Sequence, residues 1–153
     1  MEKTNVMRIL DRNRIAYRAH FYDQALSGTE VARALGEAPE RVFKTLVTVG
    51  ASRRNYVFMI PAAEELDLKK AAGAVGEKSI AMLPQKELLP LTGYVHGGCS
   101  PIGMKKQFRT LIHKTALDHE TVFFSAGRIG AQVETSPRAI GGVIPLESAD
   151  LIV

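Results

Sequence analysis

Cysteine is almost missing from this chain. Cys99 stands alone among 153 residues, so no internal disulfide can form and a reducing, cytoplasmic setting is expected. No apolar run approaches bilayer-spanning length, and residues 1–11 are charged rather than apolar. Neither a membrane span nor a signal peptide is expected. The familiar reactive signatures are missing too. His20, His96, His113 and His119 fall at no close metal-ligand spacing, and one cysteine cannot complete a zinc site, so no metal is expected. Gly98 and Gly103 have the separation of a phosphate-binding loop, but Met104 occupies the lysine position. No Gly-x-Ser-x-Gly elbow exists.

What is present reads as one globular domain over residues 1–153. Hydrophobic residues make up 46% and charged residues 24%, which excludes a mainly disordered chain. The net charge of +4, from 20 basic and 16 acidic residues, tolerates a polyanionic partner without arguing strongly for one.

Helix and strand signals alternate without a repeat. Thr4 can cap a helix whose stripe is Val6, Met7, Ile9 and Leu10, ending near Asn13. Residues 15–22 alternate loosely as a strand. Ser27 and Glu30 have capping-box spacing for a helix over 29–35 that Gly36 stops. Pro39 opens a short turn, and residues 42–49 and 56–60 form a hairpin joined by the polar stretch 51–55. Asp67 caps a helix with Leu68, Ala71, Ala72 and Val75 on one face and Gly76 at its stop. Residues 79–83 read as a strand and Pro84 leads a helix to about Leu89. Further strands are expected at 92–95, 109–113, 121–125 and 132–135. Ser136-Pro137 opens a last helix, and 149–152 closes as a strand. This order gives an α+β fold, a mixed β-sheet or partial barrel decorated with helices.

Two phrases carry chemistry. Lys44 interrupts the apolar run Val42-Phe43-Lys44-Thr45-Leu46, and Gly97-Gly98-Cys99-Ser100-Pro101-Ile102-Gly103-Met104-Lys105-Lys106 is glycine-rich and cationic. A lysine facing a loop with exposed N–H groups suits an anion; a snorkelling lysine beside a tight turn is the plainer alternative. Cys99, with His96 near in sequence, is either a nucleophile or a buried packing thiol.

Those two phrases, with Leu66-Asp67-Leu68-Lys69-Lys70, Thr92-Gly93-Tyr94 and Phe124-Ser125-Ala126-Gly127-Arg128, occur in the order found in the YbaK/EbsC family, which the chain resembles from about Met7 to Leu151. These are free-standing aminoacyl-tRNA deacylases related to the editing domain inserted in bacterial prolyl-tRNA synthetases. The resemblance implies a mixed β pseudo-barrel with helices, no cofactor, and tRNA rather than DNA or a membrane as partner. It places the family's key lysine on Lys44, and pocket residues on Tyr22, Thr45, Gly97, Gly98 and Ser125. Gln132 stands where Cys-specific members carry an aspartate. The Leu-Asp-Leu-Lys-Lys phrase leans toward Cys-tRNA(Pro), with the substrate's own thiol attacking its ester and prolyl-tRNA synthetase as a helper. Editing of alanyl, seryl or threonyl esters is the alternative within the family. The rival class is a non-catalytic module for tRNA ends or nucleotides, using Lys69, Lys70, Lys105, Lys106 and Arg109. With no functional role, Tyr22 would be a core aromatic and Ser125 a turn residue.

Overall fold

A computed structural model describes residues 2–23 and 26–153. In chain order the elements are α1 (Asn5–Arg12), β1 (Arg18–Phe21), α2 (Gly28–Leu35), β2 (Phe43–Gly50), β3 (Asn55–Pro61), α3 (Leu68–Val75), β4 (Ile80–Met82), α4 (Gln85–Thr92), β5 (Arg109–His113), β6 (Val122–Ser125), β7 (Ala131–Thr135), α5 (Pro137–Ile140) and β8 (Leu146–Ala149). Two 3-10 turns, Pro39–Arg41 and Lys114–Asp118, complete them. The strands make two sheets rather than a closed barrel. One is three-stranded, in the order β1-β7-β6; the other is five-stranded, in the order β4-β2-β3-β5-β8.

Local chemistry accounts for the helix ends. Ser27 and Glu30 complete the capping box of α2, and Gly36 closes it at φ 69°. Asp67 accepts from the Lys69 and Lys70 N–H groups at the start of α3, which ends at Gly76 with φ 76°. Both glycines hold a left-handed conformation that costs a side-chain-bearing residue energy.

The pleat then sorts the strands into cores. Val57 and Met59 of β3 face one side, where they meet Phe43 and Val47 of β2, Val6, Met7 and Leu10 of α1, and Phe124 and Val133 of the small sheet. Tyr56, Phe58 and Ile60 face the other side and pack on Ala71, Ala72 and Val75 of α3. Burial on both faces explains why residues 56–61 read as an unbroken buried run. A third cluster joins Val31 and Ala32 of α2 to Val42, Ala62 and Phe123.

The structure departs from the sequence reading in four places. Residues 92–95 are not a strand: α4 continues through Pro90 to Thr92, and Gly93 closes it at φ 86°. The Thr92 hydroxyl donates to the Leu88 carbonyl at 2.7 Å, which holds this last turn. The closing strand falls at Leu146–Ala149, and only Ile152 of the later residues pairs, as a bridge to Leu66. The strand expected over 15–22 shortens to its four-residue middle, paired with β7. Leu68 belongs to no core and is 41% exposed.

The sheets touch where Val42 and Phe123 form a parallel bridge. Phe123 is fully buried there, with the Arg41 guanidinium carbon 5.1 Å from its ring centroid and the His20 ring centroid also at 5.1 Å. Glu134 ties these flanking groups together, meeting His20 Nε2 at 3.1 Å, Arg41 Nη2 at 3.3 Å and the Thr121 hydroxyl at 2.6 Å. Burial alone would raise the Glu134 carboxyl pKa, but the bonds from Thr121 and His20 and the Arg41 charge hold it below its usual value. Phe123→Ala is expected to lower stability by about 3–5 kcal/mol, read by urea denaturation, because it empties the joint between the sheets.

Candidate active site

Beyond their contact at Val42 and Phe123, strands β2 and β6 part, and a cavity of about 430 Å³ opens between them. The hydrogen-bond pattern of β2 explains why. The Val42 carbonyl accepts from Ala62 N–H at 2.7 Å and the Gly50 N–H donates to Arg54 at 2.8 Å, so even-numbered residues bond to β3. Phe43, Thr45 and Val47 therefore turn their backbone groups to the outer edge. Val47 is met there by the Leu83 N–H at 3.1 Å, and β4 pairs only with Thr48, Val49 and Gly50. Among the described residues no strand pairs with that edge between Val42 and Val47. The first half of β2 is the cavity's open floor.

Ser125 and Gln132 come from the small sheet and Tyr22 directly follows β1, Gly28 and Val31 come from α2 with Ser27 its cap, Gln85 and Leu88 from α4, and His96, Gly97 and Cys99 from the glycine-rich loop. Of the seven residues singled out in the sequence, Lys44, Thr45, Tyr22, Gly97, Ser125 and Gln132 line this one cavity. Gly98 does not. Its N–H donates to the Val95 carbonyl at 3.0 Å, and a Cβ there would stand 2.9 Å from Ile129 N and 3.0 Å from the Arg128 carbonyl carbon. Gly98 lets two backbone segments touch. Gly97, at φ 87°, turns the loop so that it borders the cavity.

Among the described residues the lining holds one lysine, Lys44, the exposed His96, and no carboxylate. Burial pushes the Lys44 ammonium pKa down, while Glu65 and Glu64 pull it partly back. No ion pair forms with it among the described residues. Burial pushes the Cys99 thiol up to about 12, which leaves almost no thiolate at neutral pH and no nucleophile of its own. The neighbouring Tyr94 hydroxyl is spent on the Ile102 carbonyl at 2.5 Å. Ser125 Oγ accepts from Gly127 N–H at 3.1 Å. Two buried polar atoms in the lining stay unpaired: Thr45 Oγ1 and Gln132 Oε1.

The cations of the rival reading lie elsewhere. Arg109 makes a two-pronged pair with Glu147 at 2.7 and 2.8 Å, and Lys70 pairs with Asp150 at 3.0 Å. None of Lys69, Lys70, Lys105, Lys106 and Arg109 borders the cavity. Sequence reasoning missed the α2 and α4 walls. The capping box at Ser27 marked where α2 begins. That Gly28 lies against Ala62, with a Cβ only 2.8 Å from the alanine's, belongs to tertiary structure alone.

Comparison with known proteins gives this cavity a context. The family described as aminoacyl-tRNA editing domain matches over residues 23–140. A curated protein of Enterococcus faecalis, provisionally named a Cys-tRNA(Pro)/Cys-tRNA(Cys) deacylase, EbsC, is 45% identical over 142 residues, covering 91% of this chain and 87% of that protein. A crystal structure of a hypothetical protein superposes with a TM-score of 0.90 at 22% identity, over 98% of this chain and 100% of the other. Another, described provisionally as a trans-editing enzyme for prolyl tRNA synthetase, gives 0.85 at 23% identity over 99% of both chains. These two share the fold. Among the described residues no helix is long and apolar enough to cross a membrane.

Two outcomes test the site's construction. Native Cys99 should resist iodoacetamide at pH 8 and react at once in denaturant, and Cys99→Ala should keep its turnover. Gly98→Ala should cost about 1–3 kcal/mol in a urea melt through its clash with the backbone of Arg128 and Ile129.

Proposed function

The chain belongs to the aminoacyl-tRNA editing-domain family, and from that premise we propose that it clears cysteine mistakenly esterified to tRNA(Pro). An aminoacyl ester is already activated, so its hydrolysis demands orientation and charge stabilisation more than a strong protein nucleophile. One observation carries the reading: among the described residues the cavity has a single half-buried lysine, no carboxylate, and a cysteine held as a neutral thiol. No hydroxyl or thiol of this lining is hydrogen-bonded to a side-chain base that would activate it, which supports a substrate that brings its own nucleophile.

The thiol of a cysteinyl ester can do so. Its sulfur, as thiolate, attacks the ester carbonyl carbon; the bond to the terminal ribose oxygen breaks, and that oxygen leaves with a proton from solvent. The products are free tRNA and a cyclic thiolactone, which water opens to cysteine. Lys44 steadies the negative charge that develops at the ester, and Thr45, Ser125, Tyr22 and the Gly97 loop shape the acyl pocket. Gly98 acts from behind, by fixing the turn at Gly97. The name of the 45%-identical relative supports cysteinyl-tRNA as the substrate class. Prolyl-tRNA synthetase is the partner that would supply tRNA selectivity to a chain of 153 residues.

Lys44→Ala is expected to lower single-turnover deacylation of Cys-tRNA(Pro) by about 10²-fold or more with an unchanged melting temperature. Activity near the parent's would remove Lys44 from the mechanism. Cys-tRNA(Pro) should be cleaved far more than about 200-fold faster than Ser-tRNA(Pro), the range that binding a small group can discriminate. Its rate should rise with pH as the substrate thiol ionises. Equal rates for the two esters would assign the attack to water.

A further inference from the structure

Gln132 sits in the middle strand of the small sheet, opposite His20 of β1 and Ser125 of β6. Pairing on both sides fixes its backbone, and its side chain lies on the face that carries Tyr22 and Ser125 into the cavity. The residue is only 6% exposed. Its Nε2 donates to the Tyr22 hydroxyl at 3.4 Å, while Oε1 is buried without a partner. Thr45 Oγ1, on the floor of the same cavity, is likewise buried and unpartnered. Unsatisfied buried polar atoms are costly, and native proteins keep few of them without a reason.

The two atoms share a character. An amide carbonyl only accepts, and a hydroxyl accepts as readily as it donates. The donors nearby are already engaged: the Gly127 N–H serves Ser125 and the Gln132 amide serves Tyr22. Lys44, the group in the lining with several N–H donors, bonds to neither atom, so both acceptors are left for a donor that a ligand brings. In an aminoacyl ester the α-ammonium is that donor. Resting on the deacylase reading above, we infer that Gln132 Oε1, with Thr45 Oγ1, receives the α-amino group of the aminoacyl ester and makes a free amine a condition of binding. A neutral acceptor has a further consequence. It holds the amine in both protonation states, because –NH3⁺ and –NH2 each keep N–H donors. A carboxylate at the same position would favour the ammonium alone.

The test uses binding rather than turnover. The probes are 3′-cysteinylamino-adenosine, whose amide link cannot be hydrolysed as an ester, and its N-acetyl derivative, titrated calorimetrically into the full chain. The parent protein should prefer the free amine by tenfold or more. Gln132→Met, close in shape but without a carbonyl, should lose that preference by weakening the free amine and leaving the acetylated probe within about threefold. Equal weakening of both probes would mean a structural role and would overturn the inference, as would a preference that survives the substitution.

Should Gln132→Met fail to fold, Gln132→Glu carries the test through pH. Its affinity for the free amine should fall as pH rises through about 7–8, the range where α-amino groups lose their proton, while the parent's stays level. The other titrating groups facing the cavity (Lys44, His96, Tyr22 and Cys99), and Glu64 and Glu65 behind Lys44, are common to both proteins and cancel in the comparison. Parallel pH profiles would overturn the inference. A parent that reads the amine yet leaves Cys-tRNA(Pro) intact would refute the deacylase reading and spare this one.

Discussion

The site depends on a strand left half unpaired. β2 is covered on its outer edge by β4 only from Thr48 onward, and among the described residues the start of this strand is paired to the small sheet only by the Val42–Phe123 bridge. Had β4 been three residues longer, or had β6 continued alongside β2, that edge would be filled and no cavity would exist. Exposed strand edges are usually a hazard that proteins cover or charge. Here the edge is walled by α2, α4 and the glycine-rich loop, so it is shielded from other chains and open only to what enters the cavity. Phe123 and the Glu134 network hold the joint from which the two strands part.

Given that geometry, the chemistry of the lining follows from what it withholds. A buried carboxylate or thiolate would have to be stabilised against desolvation, and the lining carries neither. Lys44 is the exception: burial lowers its pKa, and Glu65 and Glu64 offset part of that shift. A site of one cation and several neutral hydrogen-bonding groups suits an ester that reacts once it is oriented. It is a poor setting for a triad or a metal-bound hydroxide. The residues that do titrate strongly elsewhere serve the fold. Glu77, for example, binds the Ser52 N–H and the Tyr56 hydroxyl at the tip of the β2–β3 hairpin.

Much of this was legible in the sequence, and the reason differs from element to element. The caps at Thr4, Ser27 and Asp67 and the stops at Gly36 and Gly76 are local chemistry, and they stand where spacing put them. Lys44 showed itself because a lysine inside an apolar run needs a reason. The failures have one cause, which is that tertiary contacts outvote local pattern. Thr92-Gly93-Tyr94 carries β-forming residues, yet a helix C-cap and the Tyr94–Ile102 bond decide its conformation. The adjacent glycines Gly97 and Gly98 look equivalent in sequence. Only the closeness of Arg128 and Ile129 shows that one borders the cavity while the other packs. The network of His20, Arg41, Thr121 and Glu134 joins residues up to 114 apart and leaves no local trace.

The central claim is that the aminoacyl end of tRNA enters the opening between β2 and β6. A crystal structure of the chain with an unreactive 3′-aminoacyl-adenosine, its ester replaced by an amide, tests this most directly. The account predicts the aminoacyl group against Thr45, Ser125 and Gln132, with Lys44 next to the linkage. Density for the analogue on the face that carries Lys69, Lys70 and Arg109, with the cavity left empty, would contradict it.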